Sequence, residues 1–149
     1  MGRLEDKLSN LGESLPDPKR PVANYLGCKR SGNTLYVSGR VSSMRGEVGT
    51  ELTVAEAQVA AKSALLDILA IIKSEIGDLD KIVAVEKVVG FVRSAASFTE
   101  QPQVIDGASD LLIALFGEDG RHARTATGVA QLPFGAAVQL EMILRMAEQ

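Results

Sequence analysis

The sequence predicts an α+β fold: a two-layer sandwich in the order ββαβαββ, with two helices on one face of a mixed sheet of four to six strands. Three observations carry that reading. Residues 53–77 keep apolar side chains at helical spacing for about six turns. Residues 98–117 carry a second helical pattern. Short Val-rich or alternating runs lie before, between and after these two segments.

The elements follow in chain order. Residues 1–20 read as an N-terminal arm to a single domain that spans 1–149. Within it LEDKLSNLGESL sets Leu4, Leu8 and Leu11 at helical spacing, which predicts a short helix. LPDPKRPVANY follows with three prolines and reads as extended chain. YLGCKR and NTLYVSGRV flank Ser31-Gly32 and predict a hairpin, with Leu35 and Val37 alternating with Tyr36 and Ser38. Val41 to Thr50, rich in Ser and Gly, is expected to be a loop.

The segment TVAEAQVAAKSALLDILAIIKSEIG is the strongest helix signal. Thr53 and Glu56 make a capping-box pattern, and Gly77 suits the residue just past the helix end. Its face of Ala57, Ala60, Ala61 and Ala64 is small enough to pack closely on a sheet. DKIVAVEKVVGFVRS predicts a strand. SFTEQPQVIDGASDLLIALFGEDG predicts the second helix, with Pro102 in its first turn, Gly107 weakening its middle and Gly117 ending it. ARTATGVAQL and AAVQLEMILRM close the chain as strands. In the last, Val138, Leu140, Met142, Leu144 and Met146 share one face, and Gln139, Glu141 and Arg145 share the other. That polar face must meet water, a ligand or another subunit.

Composition bounds the function. A chain of 149 residues with 46% hydrophobic residues can bury a sizeable core, roughly 70% of its unfolded surface. Its net charge of −3 gives no global attraction to nucleic acid, and 4% aromatic residues without tryptophan make base stacking a poor expectation. Cys28 is the single cysteine and His122 the single histidine, so neither an intrachain disulfide nor a Cys/His zinc site is expected, and no metal or cofactor is called for. The N-terminus lacks the apolar core of a secretory signal, and apolar runs end well short of ~18 residues, so a cytoplasmic protein with no membrane span is expected. The glycines of RGEVGTE and GEDGR lack the Lys-Ser/Thr ending of a phosphate loop.

Several stretches, taken in order, resemble a known family. They are Asn24-Tyr25, LYVSGR at Leu35 to Arg40, GEVG at Gly46 to Gly49, KIVAVEKVVGFV at Lys81 to Val92, FGEDGRHARTATGVAQLP at Phe116 to Pro133, and the VQLEM that follows. Together they resemble the RidA/YjgF superfamily, also called the endoribonuclease L-PSP family, over about residues 20 to 146. The N-terminal LPDPKRPVANY and the longer GASDLLIALFGEDGRHAR region mark a subgroup distinct from the best-known imine deaminases. The resemblance implies a chorismate-mutase-like fold, a homotrimer and ligand clefts between subunits. It implies hydrolysis of reactive 2-imino or enamine acids to 2-oxo acids and ammonia, a non-catalytic small-molecule-binding or regulatory trimer, or, less favoured, ribonuclease activity.

The resemblance also implies site residues. Arg124 matches the arginine that grips a substrate carboxylate, a role suited to a planar guanidinium with two parallel donors. Ser38 and Gly39 match a turn beside the cleft, and can equally be a strand end that needs glycine for close approach. Tyr25 matches a tyrosine that closes the cleft, and can equally be an ordinary half-buried aromatic. Asp106 or Ser109 corresponds to a small polar residue on the second helix. An aspartate there would compete with an anionic ligand for Arg124. Gln139 stands where the deaminases carry a glutamate, and glutamine orients a water without taking its proton. Glu141, two residues on, projects from the same strand face about 7 Å away and is the alternative catalytic candidate. Ala126 stands where the deaminases often have cysteine. His122 shows no partner in the sequence and reads as structural, Arg121 as a rim or contact residue, and Cys28 as a buried small hydrophobe.

Overall fold

A computed structural model describes residues 2–21 and 23–148. A five-stranded mixed sheet carries two long helices on one face, as the apolar patterning requires. The strands are β1 (Cys28–Ser31), β2 (Thr34–Val41), β3 (Ile82–Arg93), β4 (Ala123–Val129) and β5 (Val138–Met146), and the helices are α1 (Arg3–Asn10), α2 (Val54–Ile76) and α3 (Gln101–Phe116). The strand order across the sheet is β1-β2-β5-β3-β4. β3 and β4 are parallel and joined through α3, whereas β5 enters between β2 and β3 antiparallel to both.

The capping box of α2 is present in full. Thr53 accepts from the Glu56 backbone N–H, Glu56 accepts in return from the Thr53 backbone N–H, and Gly77 closes the helix at φ 88°. The alanine face of α2 is fully buried, and so are Leu65, Ile68, Leu69 and Ile72 below it. Gly107 has a packing reason. A Cβ there would lie 2.2 Å from the backbone oxygen of Gln58, so the glycine is what lets α3 touch α2. The helix tolerates its weak propensity because tertiary contact outweighs it.

The predicted N-terminal helix forms as α1, and Leu4 and Leu8 are buried against the core. Its own N-cap is Gly2, which has no side chain to offer. Asp80, far along the chain, supplies the cap instead, accepting from the N–H groups of Arg3 at 2.8 Å and Leu4 at 3.0 Å.

β5 alternates as expected. Val138, Leu140, Met142, Leu144 and Met146 are buried under the helices, and Gln139, Glu141 and Arg145 turn the other way. Among the described residues the sheet's outer face carries no helix. It presents Tyr36, half exposed, with Phe91 and Ile143 partly covered.

Candidate functional site

The register of the sheet divides the candidate residues between two places. Arg124 pairs across the sheet with Val88, and Val88 with Met142, so all three lie on the helix side. Gln139 pairs with Phe91, three residues beyond Val88, and so lies on the outer side. Glu141, opposite Val89, is also on the outer side and exposed. Within one chain Arg124 and Gln139 therefore project from opposite faces of the sheet.

Arg124 sits in a closed polar cluster on the helix side. Its Nη1 donates to Asp106 Oδ1 at 2.7 Å and to Ser109 Oγ at 3.2 Å, and its Nη2 donates to the Pro102 carbonyl at 3.3 Å. Asp106 and Ser109 lie three apart on α3, hence on one face of that helix. Both alternatives for the helix-borne site position thus touch the same guanidinium, and Asp106 points inward.

His122 joins this cluster, contrary to the expectation that it lacks a partner. Its Nδ1 is 2.6 Å from the Gly120 carbonyl and its Nε2 is 2.9 Å from Ser109 Oγ. A carbonyl can only accept, so Nδ1 carries the proton; in the neutral ring Nε2 then accepts from the Ser109 hydroxyl, whose oxygen accepts from Arg124. The sequence hides this chain because its members come from a helix, a 3-10 turn and an edge strand. Ala126, two residues past Arg124 and opposite Gly90, packs partly buried against the core. Arg121 is exposed.

A different arrangement lies at the end of β2 and β5, where outer-face residues meet Arg40, which pairs with the helix-side Leu140. Tyr25, Gly39 and Gln139, drawn from three distant stretches, line one cavity of about 290 Å³. A Cβ at Gly39 would lie 3.0 Å from Gln139 Nε2, so glycine lets that side chain lie across the strand. Ser38, the other half of the motif, turns inward on its own strand pair. Its hydroxyl donates to the Leu26 carbonyl at 2.5 Å, which holds the segment bearing Tyr25 against β2. Glu141 does not line this cavity.

Sequence reasoning missed the cations of this cavity: Lys19, Arg40 and Arg45 all line it. Lys19 reaches Ser43 Oγ at 3.0 Å and the buried carboxylate of Asp67 at 3.4 Å. Among the described residues neither Arg40 nor Arg45 has an ion-pair partner, and no acidic residue lines the cavity. A signal for this was present. From Pro18 to Gly46 the acidic chain contains six basic residues and no aspartate or glutamate.

A larger cavity of about 570 Å³ lies between α1 and α2, but its Lys73 is neutralised by Glu5 at 2.8 Å and it gathers no group suited to chemistry. Cys28 is buried, and burial, a hydrogen bond to Glu75 and the Glu75 charge push its thiol up to about 12, so it is no nucleophile. Among the described residues no group of three metal-ligating side chains occurs, and no helix is long and apolar enough to cross a membrane.

Comparison with known proteins agrees with the architecture. A family model described as YjgF/chorismate_mutase-like, with endoribonuclease as a provisional label, matches residues 5–146. Protein TCP17 of Trypanosoma cruzi is 44% identical over 97% of this chain and 95% of its own length. A 2-iminobutanoate/2-iminopropanoate deaminase of Dermatophagoides farinae is 27% identical over 88% of this chain and 92% of its own. The crystal structure of Atu1372 from Agrobacterium tumefaciens, a protein of unknown function, superposes with a TM-score of 0.90 at 43% identity, covering 97% of this chain and 93% of that one.

Proposed function

Because the chain belongs to the YjgF/chorismate_mutase-like family, we propose that it binds a small carboxylate-bearing metabolite in a cleft completed between the subunits of a homotrimer. The observation that carries this reading is the convergence of Tyr25, Gly39 and Gln139 on one cation-lined cavity. Arg124 is on β4, three strands from β2 across the sheet, and does not line that cavity, so in this reading it joins from a neighbouring copy. The uncovered outer face, with Tyr36, Phe91 and Ile143, is the surface such a neighbour would cover.

In this reading Arg124 exchanges one carboxylate for another. Asp106 is 46% exposed, so losing its ion pair to a ligand costs little, about 0–1 kcal/mol for an exposed pair. Ser109 and the Pro102 carbonyl stay in place and keep the guanidinium plane fixed for a bidentate grip.

A second reading, hydrolysis of 2-imino acids, is favoured by the 27% identity to a protein named for that reaction. Water adds to the carbon of a protonated imine, and collapse of the adduct gives a 2-oxo acid and ammonium. Gln139 can orient the water but cannot remove its proton. Orientation and the charge clamp would then supply the acceleration, since Glu141 lies outside the cavity.

The test of binding is a thermal-unfolding titration with 2-oxobutyrate. A concentration-dependent rise in Tm that disappears in Arg124→Ala is expected. No rise at millimolar ligand would overturn the reading. The hydrolysis reading is tested by generating 2-iminobutanoate with an amino-acid oxidase and following its loss, with no acceleration over buffer counting against it.

A further inference from the structure

We propose that the ligand of this cavity carries a second anionic group, held by Arg40 and Arg45, so that the preferred ligand is a small dianion rather than a simple monocarboxylate. The proposal rests on the reading above that the cavity beside Gln139 is the ligand cleft.

The charge balance of the cavity carries it. Three cations line a space of about 290 Å³ that no carboxylate among the described residues lines. One of the three, Lys19, is already committed to Asp67. The other two keep their charge without an ion pair among the described residues, and neither guanidinium makes a side-chain hydrogen bond to the protein there. Arg40 is partly exposed, near the end of β2. Lys62, Lys73, Arg124 and Arg145 have carboxylate partners; among the cations without one, Arg40 and Arg45 stand out because they line one cavity together. Two unmatched guanidinium groups beside one cavity are a fork-shaped receptor for a planar carboxylate or a phosphoryl group.

The rim gives a second, independent observation. Phe134 is held at φ 61° and ψ 14°, a left-handed conformation that a bulky residue adopts at a cost, and it is 63% exposed. It lines the cavity with Tyr25, itself 44% exposed. The turn Pro133–Gly135 is anchored from behind, where the Gly135 carbonyl accepts from the Gly46 N–H at 3.1 Å. The chain thus keeps an aromatic ring out of the core and over the cations, where it would cover the carbon skeleton between two anionic ends. A Monoanion gripped at Arg124 leaves this cationic end empty; a dianion fills both.

The second anionic group can be a carboxylate or a phosphoryl group, and the experiment separates the two. Isothermal titration of the full chain compares butyrate, glutarate and 3-phosphonopropionate. Glutarate or 3-phosphonopropionate is expected to bind about tenfold more tightly than butyrate, or better, since a charge-assisted hydrogen bond contributes about that factor. Whichever dianion gains more identifies the group. In Arg40→Gln and Arg45→Gln the ratio of dianion to butyrate affinity should fall toward one. Arg40→Lys, which keeps charge but not the fork, should retain part of it. Circular dichroism and Tm of each variant confirm that it folds.

The outcomes part cleanly. Equal affinity for butyrate and both dianions overturns the proposal and leaves the carboxylate reading standing. A dianion preference that survives Arg40→Gln and Arg45→Gln also overturns it. A preference lost in those variants but kept in Arg124→Ala upholds it while removing Arg124 from the site. No binding by any of the three overturns both.

Discussion

Arg124 and Arg40 are both arginines beside a candidate ligand site, yet their surroundings are opposite. Arg124 is closed upon its own chain: Asp106, Ser109 and the Pro102 carbonyl take its donors, and His122 braces Ser109. Arg40 ends β2 facing a cavity with two further cations, an exposed tyrosine and an exposed phenylalanine, and no carboxylate. A guanidinium's partners decide its role more than its motif does. The motif arginine is held ready but occupied. Arg40, which closes the LYVSGR stretch but was given no site role, is the one whose charge is unmatched among the described residues.

That contrast predicts that substitutions in the closed cluster act on stability and those in the open cavity on binding. The largest effect is expected for Gly107→Ala, which forces a methyl group against the Gln58 backbone and pushes α3 off α2. A loss of about 2–3 kcal/mol in a urea titration is expected, as for overpacking against atoms that cannot yield. A loss below the error of the titration would mean that the helix contact is looser than described.

Ser109→Ala comes next. It strips a buried acceptor from Arg124 and the donor from His122 Nε2, for about 1–2 kcal/mol by the same measurement. Arg40→Gln should change stability by no more than about 0.5 kcal/mol, the usual range for a substitution that breaks no contact. If Arg40→Gln cost as much as Ser109→Ala, the distinction between a closed and an open site would fail.

The smallest effect belongs to a region apart from both. Burial pushes the Asp80 carboxyl up, but hydrogen bonds from the Leu4 and Arg3 backbones and the charge of Arg3 outweigh it and hold the group below its usual value. A carboxyl lowered by folding stabilises the fold above its unfolded value, about 3.9, and that stability is lost as pH falls through the folded value. Docking of α1, followed by amide exchange of residues 3–10, should therefore loosen below about pH 4. In Asp80→Asn, which lacks the charge, that part of the acid dependence should be lost, leaving only what the Glu5–Lys73 pair contributes.

The legible and illegible parts of this protein divide by range of interaction. Local pattern sufficed for α2 with its capping box, for the buried and polar faces of β5, and for the helix ends at Gly77 and Gly117. The α+β class followed from those patterns. The insertion of β5 between β2 and β3 was not legible, because strand order depends on pairing across the whole chain. The same non-local register puts Arg124 and Gln139 on opposite sheet faces, a separation that their spacing of fifteen residues does not reveal. His122 looked unpartnered for a like reason: Ser109 reaches it only once α3 lies over the edge strand. Nothing in the local pattern singled out Arg40 or Arg45 as site residues. Only the absence of acidic residues from Pro18 to Gly46 hinted that their charge would find no partner within that stretch.

The central claim is that the binding cleft is shared between copies of the chain, and subunit mixing tests it most directly. Arg124→Ala and Gln139→Ala should each lose carboxylate binding when pure. Unfolding the two together and refolding them as mixed oligomers should restore binding at roughly a quarter of the sites, the random fraction in which one subunit supplies Arg124 and its neighbour Gln139. A mixture that binds no more 2-oxobutyrate than the separate variants, although size analysis shows exchanged subunits, would contradict it.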